Sequence, residues 1–484
     1  MLDKLRSTWF FNVRGDVLAG VTVALALIPE AIAFSIIAGV DPMVGIHASF
    51  CIAVLISIFG GRPGMISAAT GAMSILMVTL VAQYGIEYLY ATTILTGLIQ
   101  YAIGALKLGK WISFVPQSVL SGFLNSLGIM VFMSQLQHFV NATWVVYAIG
   151  AVTLLIVYGL PYITKVIPST LVAIVVMTIV TIVIGLDVKT VGDMGIINSS
   201  LPLFHWPNVP ISWETMKIIA PVALTMAIVG LLESLITATV LDEQTKTKSD
   251  KNKEVRGQGI ANTITGMFGG MAGCAMIGQS LINVRSGGRG RLSTMVAGGV
   301  LLLLIVTLRD VVVKIPMPAL AGVMIMVAIS TFEWQSIKNI PKAPITDTMT
   351  MIVTVVVILI THNLAQGVLV GVLLSAVIFA IQSSRLHIIT EKDDARKIIT
   401  YYINGPLFFA TSTMFDQSID AIEGYDRVVI DGSQSKVWDQ SAILSLAKVV
   451  NRLRENGNEV ELILFDKDSS LLVKKSGMAE TIGA

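Results

Sequence analysis

Apolar segments of about 20 residues recur along the chain from Val17 to about Ser383, and each is long enough to cross a hydrocarbon layer of about 30 Å. Of the 484 residues, 54% are hydrophobic and only 13% are charged, whereas a soluble domain carries about 25% charged residues. Lipid offers no hydrogen bonds to the backbone, so such segments must fold as helices that satisfy their own amide groups. The sequence therefore predicts a mainly α-helical membrane protein.

Two short motifs of the first half return in the same order in the second half. Residues 58–61 (Ile-Phe-Gly-Gly) are matched by 267–270 (Met-Phe-Gly-Gly), and Pro116-x-x-x-Leu-x-Gly is matched by Pro316-x-x-x-Leu-x-Gly. An internal repeat of this length in an apolar chain is typical of a membrane transporter whose substrate site lies between the two halves.

Hydropathy and turn residues divide each repeat, at about 14–190 and about 214–384, into seven predicted segments. Because seven is odd, the second repeat must cross the bilayer in the opposite sense, which predicts fourteen transmembrane segments in an inverted seven-plus-seven arrangement. The segments near Thr70 and Ser280 are too short or too polar to cross alone, and they occupy matching places in the two repeats. The predicted segments are 16–38, 44–60, 68–83, 88–106, 116–137, 143–161 and 168–186, then 217–241, 256–270, 277–286, 292–310, 317–332, 346–362 and 366–383.

Lysine and arginine are concentrated in the loops after even-numbered segments, as in the stretch 246–256. The positive-inside rule then predicts a multi-pass plasma-membrane protein with both termini in the cytoplasm. Four arginines in these loops are interpreted as topology anchors, namely Arg62, Arg285, Arg289 and Arg291.

The composition changes at about Arg385, where charged residues become frequent and the periodicity is that of a soluble fold. We predict a transmembrane domain at 1–386 and a small cytoplasmic α/β domain at 387–484. Its predicted strands are 397–403, 407–410, 427–430 and 460–465, and its predicted helices are 414–423 and 441–455.

Two acidic residues lie inside predicted spans, Glu30 and Glu233. A carboxylate at the bilayer centre costs several kcal/mol unless it is paired, hydrated or protonated, so each is a candidate functional residue. Glu233 and Thr237 are four residues apart and share a helix face, where they could hold Na⁺, or the carboxylate alone could carry a proton. Glu30 follows Pro29, which we expect to interrupt the first helix. The alternatives are an interhelical hydrogen bond or an ion pair with a buried base for Glu233, and a position near the membrane surface for Glu30.

Small and polar residues begin the two short segments, from Ser67 to Ser74 and from Met276 to Ser280. Helix N-termini present unpaired N–H groups and a partial positive charge. Two such helix starts facing each other would bind an anion without needing lysine or arginine. The alternative is tight helix packing through small residues.

The sequence gives little support for disulfide bonds, metal sites, catalytic motifs or nucleic-acid binding. Cys51 and Cys274 lie in apolar or glycine-rich segments and are interpreted as packing residues, since a disulfide framework or zinc site needs more cysteines. No Walker, Ser-His-Asp or dinucleotide-binding pattern is present, and the five histidines lack metal-ligand spacing. The basic residues form no nucleic-acid-binding domain. We therefore expect neither an enzyme nor a metal or cofactor site, and no nucleic-acid partner.

A series of motifs resembles the SulP family of anion transporters, over essentially the whole chain. The membrane motifs are Arg14-Gly-Asp-x-x-Ala-Gly, Ile28-Pro-Glu-Ala-Ile-Ala-Phe, Phe59-Gly-Gly, Ile66-Ser, Pro116-x-x-Val-Leu-Ser-Gly-Phe and Pro316-x-x-x-Leu-x-Gly. The C-terminal region resembles a STAS domain through Val429-Ile-Asp and Trp438-Asp-Gln-Ser-Ala-Ile.

This resemblance implies a mobile core domain of segments 1–4 and 8–11, and a gate domain of segments 5–7 and 12–14. It places the anion between the starts of segments 3 and 10, which fall at Thr70 and Gly71 and at Gly278, Gln279 and Ser280. It also implies a homodimer formed through the cytoplasmic and gate regions.

The resemblance also implies roles for three further residues. Glu233 falls where bacterial members carry the acidic residue tied to cation coupling. Glu30 falls where many relatives have glutamine, and a carboxylate there repels an anion unless it is protonated. Ser441 matches the phosphate acceptor of stand-alone STAS proteins, although Asp439-Gln-Ser-Ala replaces their Asp-Ser-Ser-Gly. The interpretation we favour for Ser441 is the N-cap of the following helix.

The resulting hypothesis is secondary active transport of an inorganic or small organic anion (sulfate, bicarbonate or a C4-dicarboxylate), by H⁺- or Na⁺-coupled symport with an elevator-like movement of core against gate. One alternative is an uncoupled exchanger or channel-like conductor. Another is a non-transporting membrane sensor that binds a cytoplasmic partner through the STAS domain. The sequence leaves the anion, the coupling ion and the direction of transport open.

Overall fold

The computed structural model describes residues 8–109, 115–164, 168–195, 201–419, 424–463 and 467–478. The chain divides into two compact units, residues 1–372 and 373–484. This division falls inside the last long helix, whereas the sequence predicts a boundary at 386/387, where the first strand of the second unit begins at His387.

Among the residues described for the first half of the membrane unit, there are seven helices of fourteen residues or more and one very short strand. The first helix begins after Asn12, whose side chain accepts a hydrogen bond from the amide of Gly15, and it ends at Gly39 with a φ of 77°. The elements are α1 (Val13–Ala38), α2 (Pro42–Phe59), β1 (Ser67–Ala69), α3 (Gly71–Tyr84), α4 (Ile86–Ala105), α5 (Gln117–Leu136), α6 (Trp144–Ile163) and α7 (Ser169–Ile184).

The second half follows the same order of elements, with one additional short helix, α13. The elements are α8 (Trp213–Thr245), α9 (Lys251–Met267), β2 (Gly273–Ala275), α10 (Ile277–Arg285), α11 (Arg291–Val312), α12 (Met317–Thr331), α13 (Trp334–Asn339), α14 (Ile345–Thr361) and α15 (Leu364–Ser383).

Each predicted segment coincides with one of these helices, with ends shifted by a few residues. Among the described residues, eight helices are long and apolar enough to cross a membrane, counting α12 and α13 as one. The apolar helices α3, α7 and α14 are shorter, and α9 and α10 are more polar. The inverted seven-plus-seven arrangement of fourteen spans stays a prediction.

The prediction that Pro29 interrupts the first helix is wrong. Helix α1 runs without a break from Val13 to Ala38 with Pro29 inside it. Proline removes one N–H from the helix, and the packing of Leu27, Ile28 and Ala31 in the buried core on either side holds the remaining turns in place.

Two of the four arginines interpreted as topology anchors are in fact buried. The Arg62 guanidinium donates to the Leu241 carbonyl at 3.1 Å and lies 3.3 Å from the Asp242 carboxylate. Arg291 donates to the carbonyls of Ser57 and Gly60, each at 2.7 Å. A buried charge persists only when its donors are satisfied, so these arginines hold the end of α2 and the turn after it against the second half.

The glycines of α4 and α9 allow these two helices to pack backbone to backbone. A Cβ on Gly97 would lie 2.3 Å from the Thr263 amide nitrogen, and one on Gly259 would lie 2.4 Å from the Tyr101 amide nitrogen. Small residues at such a contact are typical of helix pairs in membranes, where close van der Waals packing drives association.

We therefore expect Gly259→Ala to destabilise the protein by about 1–3 kcal/mol, because the added methyl meets backbone atoms that cannot yield. The apparent melting temperature of the purified protein measures this effect. Gly299→Ala is the matched control, because a Cβ there meets no atom within 4 Å. Equal melting temperatures for the two variants would contradict the packing described for α4 and α9.

The second unit is built on a four-stranded sheet in the order β3-β4-β5-β6. The first pair of strands is antiparallel and the other two pairs are parallel. A buried core of Ile399, Ile403, Phe415, Leu446 and Val450 joins the sheet to its helices. The elements are β3 (His387–Asp393), β4 (Ile398–Leu407), α16 (Ser412–Ser418), β5 (Arg427–Val437), α17 (Gln440–Glu455), β6 (Glu459–Ile463) and α18 (Lys467–Lys475).

Several predictions for this unit need correction. The predicted strand 407–410 is absent, because β4 continues through Gly405 and Pro406 to end at Leu407. A register shift between Tyr402 and Asn404 lets this second half of β4 pair with β5, so β5 extends beyond Asp431 to Val437. Strand β3 and helix α18 were not predicted. Parts of the predicted elements 414–423 and 460–465 lie outside the described residues.

The N-cap of α17 is Asp439, so the interpretation of Ser441 as the cap is wrong. The Asp439 carboxylate accepts from the Ala442 amide at 3.0 Å and from the Phe409 amide at 2.8 Å. An aspartate accepts two such bonds at once, and its charge is favourable at a helix N-terminus. Ser441 is an exposed residue of the first turn.

Helices α16 and α17 are tied together by a charged cluster. Asp416 accepts from Lys448 at 2.6 Å and from Arg452 at 2.8 Å. The hydrogen bond from Lys448 and the nearby positive charges hold the pKa of Asp416 below its usual value. The α/β unit thus has its own core and its own polar contacts.

Candidate functional site

A two-stranded antiparallel ribbon lies at the centre of the membrane unit. Its strands β1 and β2 pair Ser67 with Ala275, Ala68 with Cys274 and Ala69 with Gly273, and all six residues are buried. Each strand leads directly into a helix, β1 into α3 and β2 into α10. Because the strands are antiparallel, the two helices start at opposite ends of the ribbon.

The residues of the ribbon are small because the backbone of neighbouring segments lies close to their Cα atoms. A Cβ on Gly273 would lie 2.0 Å from the Ala68 carbonyl oxygen. The outer backbone groups bond to side chains of the surrounding helices: Ser49 accepts from the Ala69 amide at 3.2 Å, and Ser234 accepts from the Ala275 amide at 3.1 Å. Asn262 both accepts from and donates to Gly273, each at 3.0 Å. Buried irregular backbone is thereby satisfied, as it must be away from water.

The first turns of α3 and α10 are not capped by the side chains of their N-cap residues, Thr70 and Met276. The first backbone bonds of the two helices are Ser74 N–H to Thr70 and Ser280 N–H to Met276. The earlier amides in each helix have no partner within their own helix. Both helix starts therefore offer N–H donors together with the positive end of a helix dipole.

A cavity of about 670 Å³ adjoins both helix starts. Six of the predicted site residues lie in its wall: Glu30, Thr70, Gly71, Glu233, Gly278 and Gln279. The remaining wall includes residues of α5, α10 and α12 and the segment 332–335, among them apolar residues such as Leu127 and Met326. The cavity thus combines a few polar groups with an apolar lining, which is the usual composition of a small-molecule site.

Glu30 is paired with Gln279 across the cavity wall. The Gln279 side-chain amide donates to Oε1 of Glu30, while Oε2 is buried and has no hydrogen-bond partner among the described residues. One carboxylate oxygen is therefore engaged and the other is available to a proton or a ligand.

Glu233 lies at the other side of Thr70, with a cysteine between them. The Cys274 thiol donates to Oε2 of Glu233 at 2.6 Å, and the Cys274 sulfur lies 3.1 Å from the hydroxyl oxygen of Thr70. A hydrogen-bonded chain of three side chains thus connects the start of α3 to the carboxylate on α8.

Ser280 and Thr237 are close to the site, but they are not among the residues that line the cavity. The Ser280 hydroxyl accepts from the Ile66 amide at 2.9 Å, which supports the residue before the ribbon. The Thr237 hydroxyl donates to the main-chain carbonyl of Glu233 at 2.7 Å rather than to its carboxylate. Both hydroxyls are occupied by backbone groups.

Sequence reasoning did not place Cys274 beside the site, because a cysteine in a glycine-rich segment resembles a packing residue. The available signal was its position two residues before the N-cap of α10. It also missed Phe34 and Trp334 in the cavity wall, and it interpreted Arg285 as a topology anchor although this residue lines the cavity. Only the folded chain brings these residues together.

We expect Ser280→Ala to lower the stability of the protein by about 1–3 kcal/mol, because the Ile66 amide loses its acceptor in a buried place. Thermal unfolding of the purified protein measures the loss. Ser384→Ala is the control, since that hydroxyl bonds the carbonyl of Ala380 in its own segment. Wild-type stability in Ser280→Ala would show that the hydroxyl does not support the ribbon.

The fold and site define a polytopic membrane protein in which two short helices begin at a central ribbon and border one cavity, with a separate α/β unit at the C-terminus. Residues 13–146 and 138–354 match the Sulfate permease family, and residues 389–483 match the STAS domain. The chain belongs to the sulfate permease (SulP) family and carries a C-terminal STAS domain.

Two bacterial proteins named as transporters are similar to this chain over most of the length of both sequences. "Putative sulfate transporter YbaR" of Bacillus subtilis is 55% identical over 471 residues, which is 97% of this chain and 98% of that protein. The bicarbonate transporter BicA of Picosynechococcus sp. is 27% identical and covers 94% of this chain and 89% of its own length.

Two solved structures share the fold. The transmembrane domain of a cyanobacterial BicA has a TM-score of 0.66 at 28% identity, covering 75% of this chain and 97% of that one. Murine Solute Carrier 26 family member A9 has a TM-score of 0.83 at 17% identity, covering 98% of this chain and 88% of that one. The second likeness concerns the fold alone.

Proposed function

We propose that this protein is a secondary active transporter of a small anion. The observation that carries the proposal is the convergence of two uncapped helix N-termini, those of α3 and α10, on one cavity. Main-chain N–H groups and helix dipoles bind an anion without a fixed positive charge. An anion held in this way is not trapped by an ion pair and can be released on the other side of the membrane.

The substrate class is sulfate, bicarbonate or a C4-dicarboxylate. The names of the relatives, a sulfate transporter and bicarbonate transporters, support the first two. In this proposal Thr70 and Gly71 bind the anion from α3, while Gly278 and Gln279 bind it from α10. Ser280 acts by holding the ribbon in place. Glu30 admits an anion when it is protonated or turned toward Gln279.

Glu233 is the residue that we assign to the coupling ion, H⁺ or Na⁺, with Thr237 shaping its helix turn. A carboxylate in the interior of a membrane protein is costly unless it has such a task. We assign the protein no catalytic residue, cofactor or enzymatic activity.

Transport in this proposal follows an elevator-like movement. The cavity lies between helices of the core (α1–α4 and α8–α11) and helices of the gate (α5–α7, α12, α14 and α15), so a displacement of one set against the other would carry the anion. The repeated order of elements in the two halves supports an inverted seven-plus-seven repeat, with repeats at about 14–190 and about 214–384.

The cellular arrangement is part of the same proposal. The protein lies in the cell membrane with both termini in the cytoplasm and acts as a homodimer. Its transporter domain spans 1–386 and its STAS domain 387–484. The STAS domain binds a cytoplasmic partner, and Ser441 is an exposed candidate for regulation.

Uptake of labelled sulfate, bicarbonate and fumarate into proteoliposomes tests the proposed function. We expect a H⁺ or Na⁺ gradient to drive accumulation of at least one of them. Large anion currents that need no cation gradient would favour an uncoupled conductor instead. The absence of any anion flux would overturn the proposal and favour a sensor.

Gly278→Val should reduce uptake at least about tenfold, a loss of about 1.4 kcal/mol in binding, because the side chain would project into the cavity beside the anion. A Cβ at Gly278 meets no atom within 4 Å, so the fold should tolerate it. Gly159→Val is the matched control, since its Cβ is equally unobstructed on α6. Wild-type uptake by Gly278→Val would place the anion elsewhere.

Glu233→Gln should abolish the dependence of uptake on the coupling ion, because the amide neither takes up a proton nor offers a negative charge to Na⁺. The measurement is the initial uptake rate with and without each cation gradient. The exposed Glu214→Gln, at the beginning of the same helix, controls for loss of a carboxylate on α8. Unaltered cation dependence in Glu233→Gln would remove this residue from the coupling mechanism.

A further inference from the structure

The hydrogen-bonded side chains of Thr70, Cys274 and Glu233 have more acceptor positions than hydrogens to donate. A threonine hydroxyl and a cysteine thiol each carry one hydrogen, and an ionised carboxylate accepts but does not donate. The hydroxyl and thiol hydrogens must therefore serve both contacts, the one between Thr70 and Cys274 at 3.1 Å and the one between Cys274 and Glu233 at 2.6 Å.

When Glu233 is ionised, the direction of both bonds is determined. The Cys274 sulfur lies 2.6 Å from the carboxylate, which can only accept, so the thiol donates its hydrogen to it. The sulfur can then only accept from Thr70, so the Thr70 hydroxyl hydrogen points toward Cys274. In this state Thr70 presents only its oxygen lone pairs to the cavity, which disfavours an anion.

When Glu233 is protonated, the chain can reverse. The carboxylic acid donates to the sulfur, and the Cys274 thiol donates to the Thr70 oxygen. The Thr70 hydroxyl hydrogen is then available to an anion at the start of α3. One proton on Glu233 thus supplies one additional donor to the anion site, without any movement of the backbone.

We propose that Cys274 is a positioning residue that couples protonation of Glu233 to anion binding by reversing the hydrogen bonds between Glu233 and Thr70. The inference rests on the proposed function and makes it more specific, because it selects H⁺ as the coupling ion. Cys274 suits this role because it sits on β2, the strand that joins the two helix starts, and is fully buried.

The charged groups on the elements packed against α8 or in the wall of the same cavity are Glu87 on α4, Lys251, Lys253, Glu254 and Arg256 on α9, Arg285 on α10, Glu30 on α1 and Glu333 just before α13. On α4, Glu87 bonds His205 at 3.0 Å. On α9, Glu254 accepts from the Gly61 amide at 2.6 Å, and Lys251 donates to Thr239 on α8 itself at 2.7 Å. Arg285 on α10 and Glu30 on α1 line the same cavity as Glu233, and Glu30 is held by Gln279.

The test compares anion affinity at two pH values in the purified full-length protein. The probes are sulfate and fumarate, which stay dianions between about pH 5.5 and about pH 8, a range in which perturbed carboxyl groups titrate. For the wild type we expect about tenfold tighter binding at the lower pH, within the range usual for coupled sites. Cys274→Ala should reduce this ratio, because neither Glu233 nor Thr70 retains its shared partner, and the pH dependence that remains is the part due to protonation of Glu30.

Three further variants sharpen the result. Cys274→Ser should retain the pH dependence, because a hydroxyl also donates one hydrogen and accepts. Cys51→Ala, at the other buried cysteine, should behave as wild type. If Cys274→Ala does not fold, Cys274→Val replaces it, since valine fills the thiol's place without a donor, and the same reduction in pH dependence is expected.

The outcomes separate this inference from the proposed function. A wild-type pH dependence in Cys274→Ala or Cys274→Val, together with its reduction in Glu233→Gln, would overturn the relay and leave the coupling role of Glu233 standing. Anion binding by the wild type without pH dependence would overturn H⁺ coupling and the relay together. Absence of binding of either probe at both pH values would contradict the anion site itself.

Discussion

The pairing of β1 with β2 is the interaction on which the membrane unit depends. Three residues from each half of the chain form this ribbon, and the starts of α3 and α10 follow directly from its two strands. In a buried place each unpaired amide costs about 1–3 kcal/mol. Ser49, Ser234 and Asn262 bond to the backbone of the ribbon, and Ser280 bonds to the amide of Ile66 just before it. These four side chains come from α2, α8, α9 and α10. The ribbon therefore also ties four helices together.

The same arrangement resolves a conflict between stability and binding. A helix is most stable when its first amides are capped, yet capped amides cannot bind a ligand. Here the starts of α3 and α10 lack a side-chain cap, while the strands before them pair with each other and bond to Ser49, Ser234 and Asn262. The hydrogen bonds that stabilise the site are made by the strands, and the amides that are free to bind a ligand belong to the helix starts that follow. The two requirements therefore use different backbone groups.

Glu30 and Glu233 are held by separate partners in the wall of the cavity. Glu30 and Glu233 both line it, but each has its own neutral donor, the Gln279 amide and the Cys274 thiol. A neutral donor stabilises a carboxylate without neutralising it, which an arginine would do through an ion pair. The buried arginines Arg62 and Arg291 bond backbone and polar groups at the end of α2 instead, where they hold structure.

The sequence predicts some features of the fold and site well and others poorly. Hydrophobic length alone located the helices, because lipid permits few alternatives. The resemblance to the SulP family indicated Thr70, Gly278 and Gln279 as site residues, and Glu30 was a candidate because it is an acidic residue inside a predicted span. The STAS strands were predicted less well, since Gly405-Pro406 indicates a turn locally whereas pairing with β5 extends the strand through it. Ser441 was mistaken for a cap that Asp439 provides, because both residue types cap helices and only geometry distinguishes them.

By itself the sequence determined that this is a helical membrane protein with two short helices in matching places, because hydropathy and spacing are properties of the chain alone. Only the tertiary structure decided which hydroxyls reach the cavity and which serve the backbone, as Thr70 and Ser280 illustrate. It also decided that Cys274 connects Thr70 to Glu233. These outcomes depend on contacts between residues about 40 to 200 positions apart, and no local pattern encodes them.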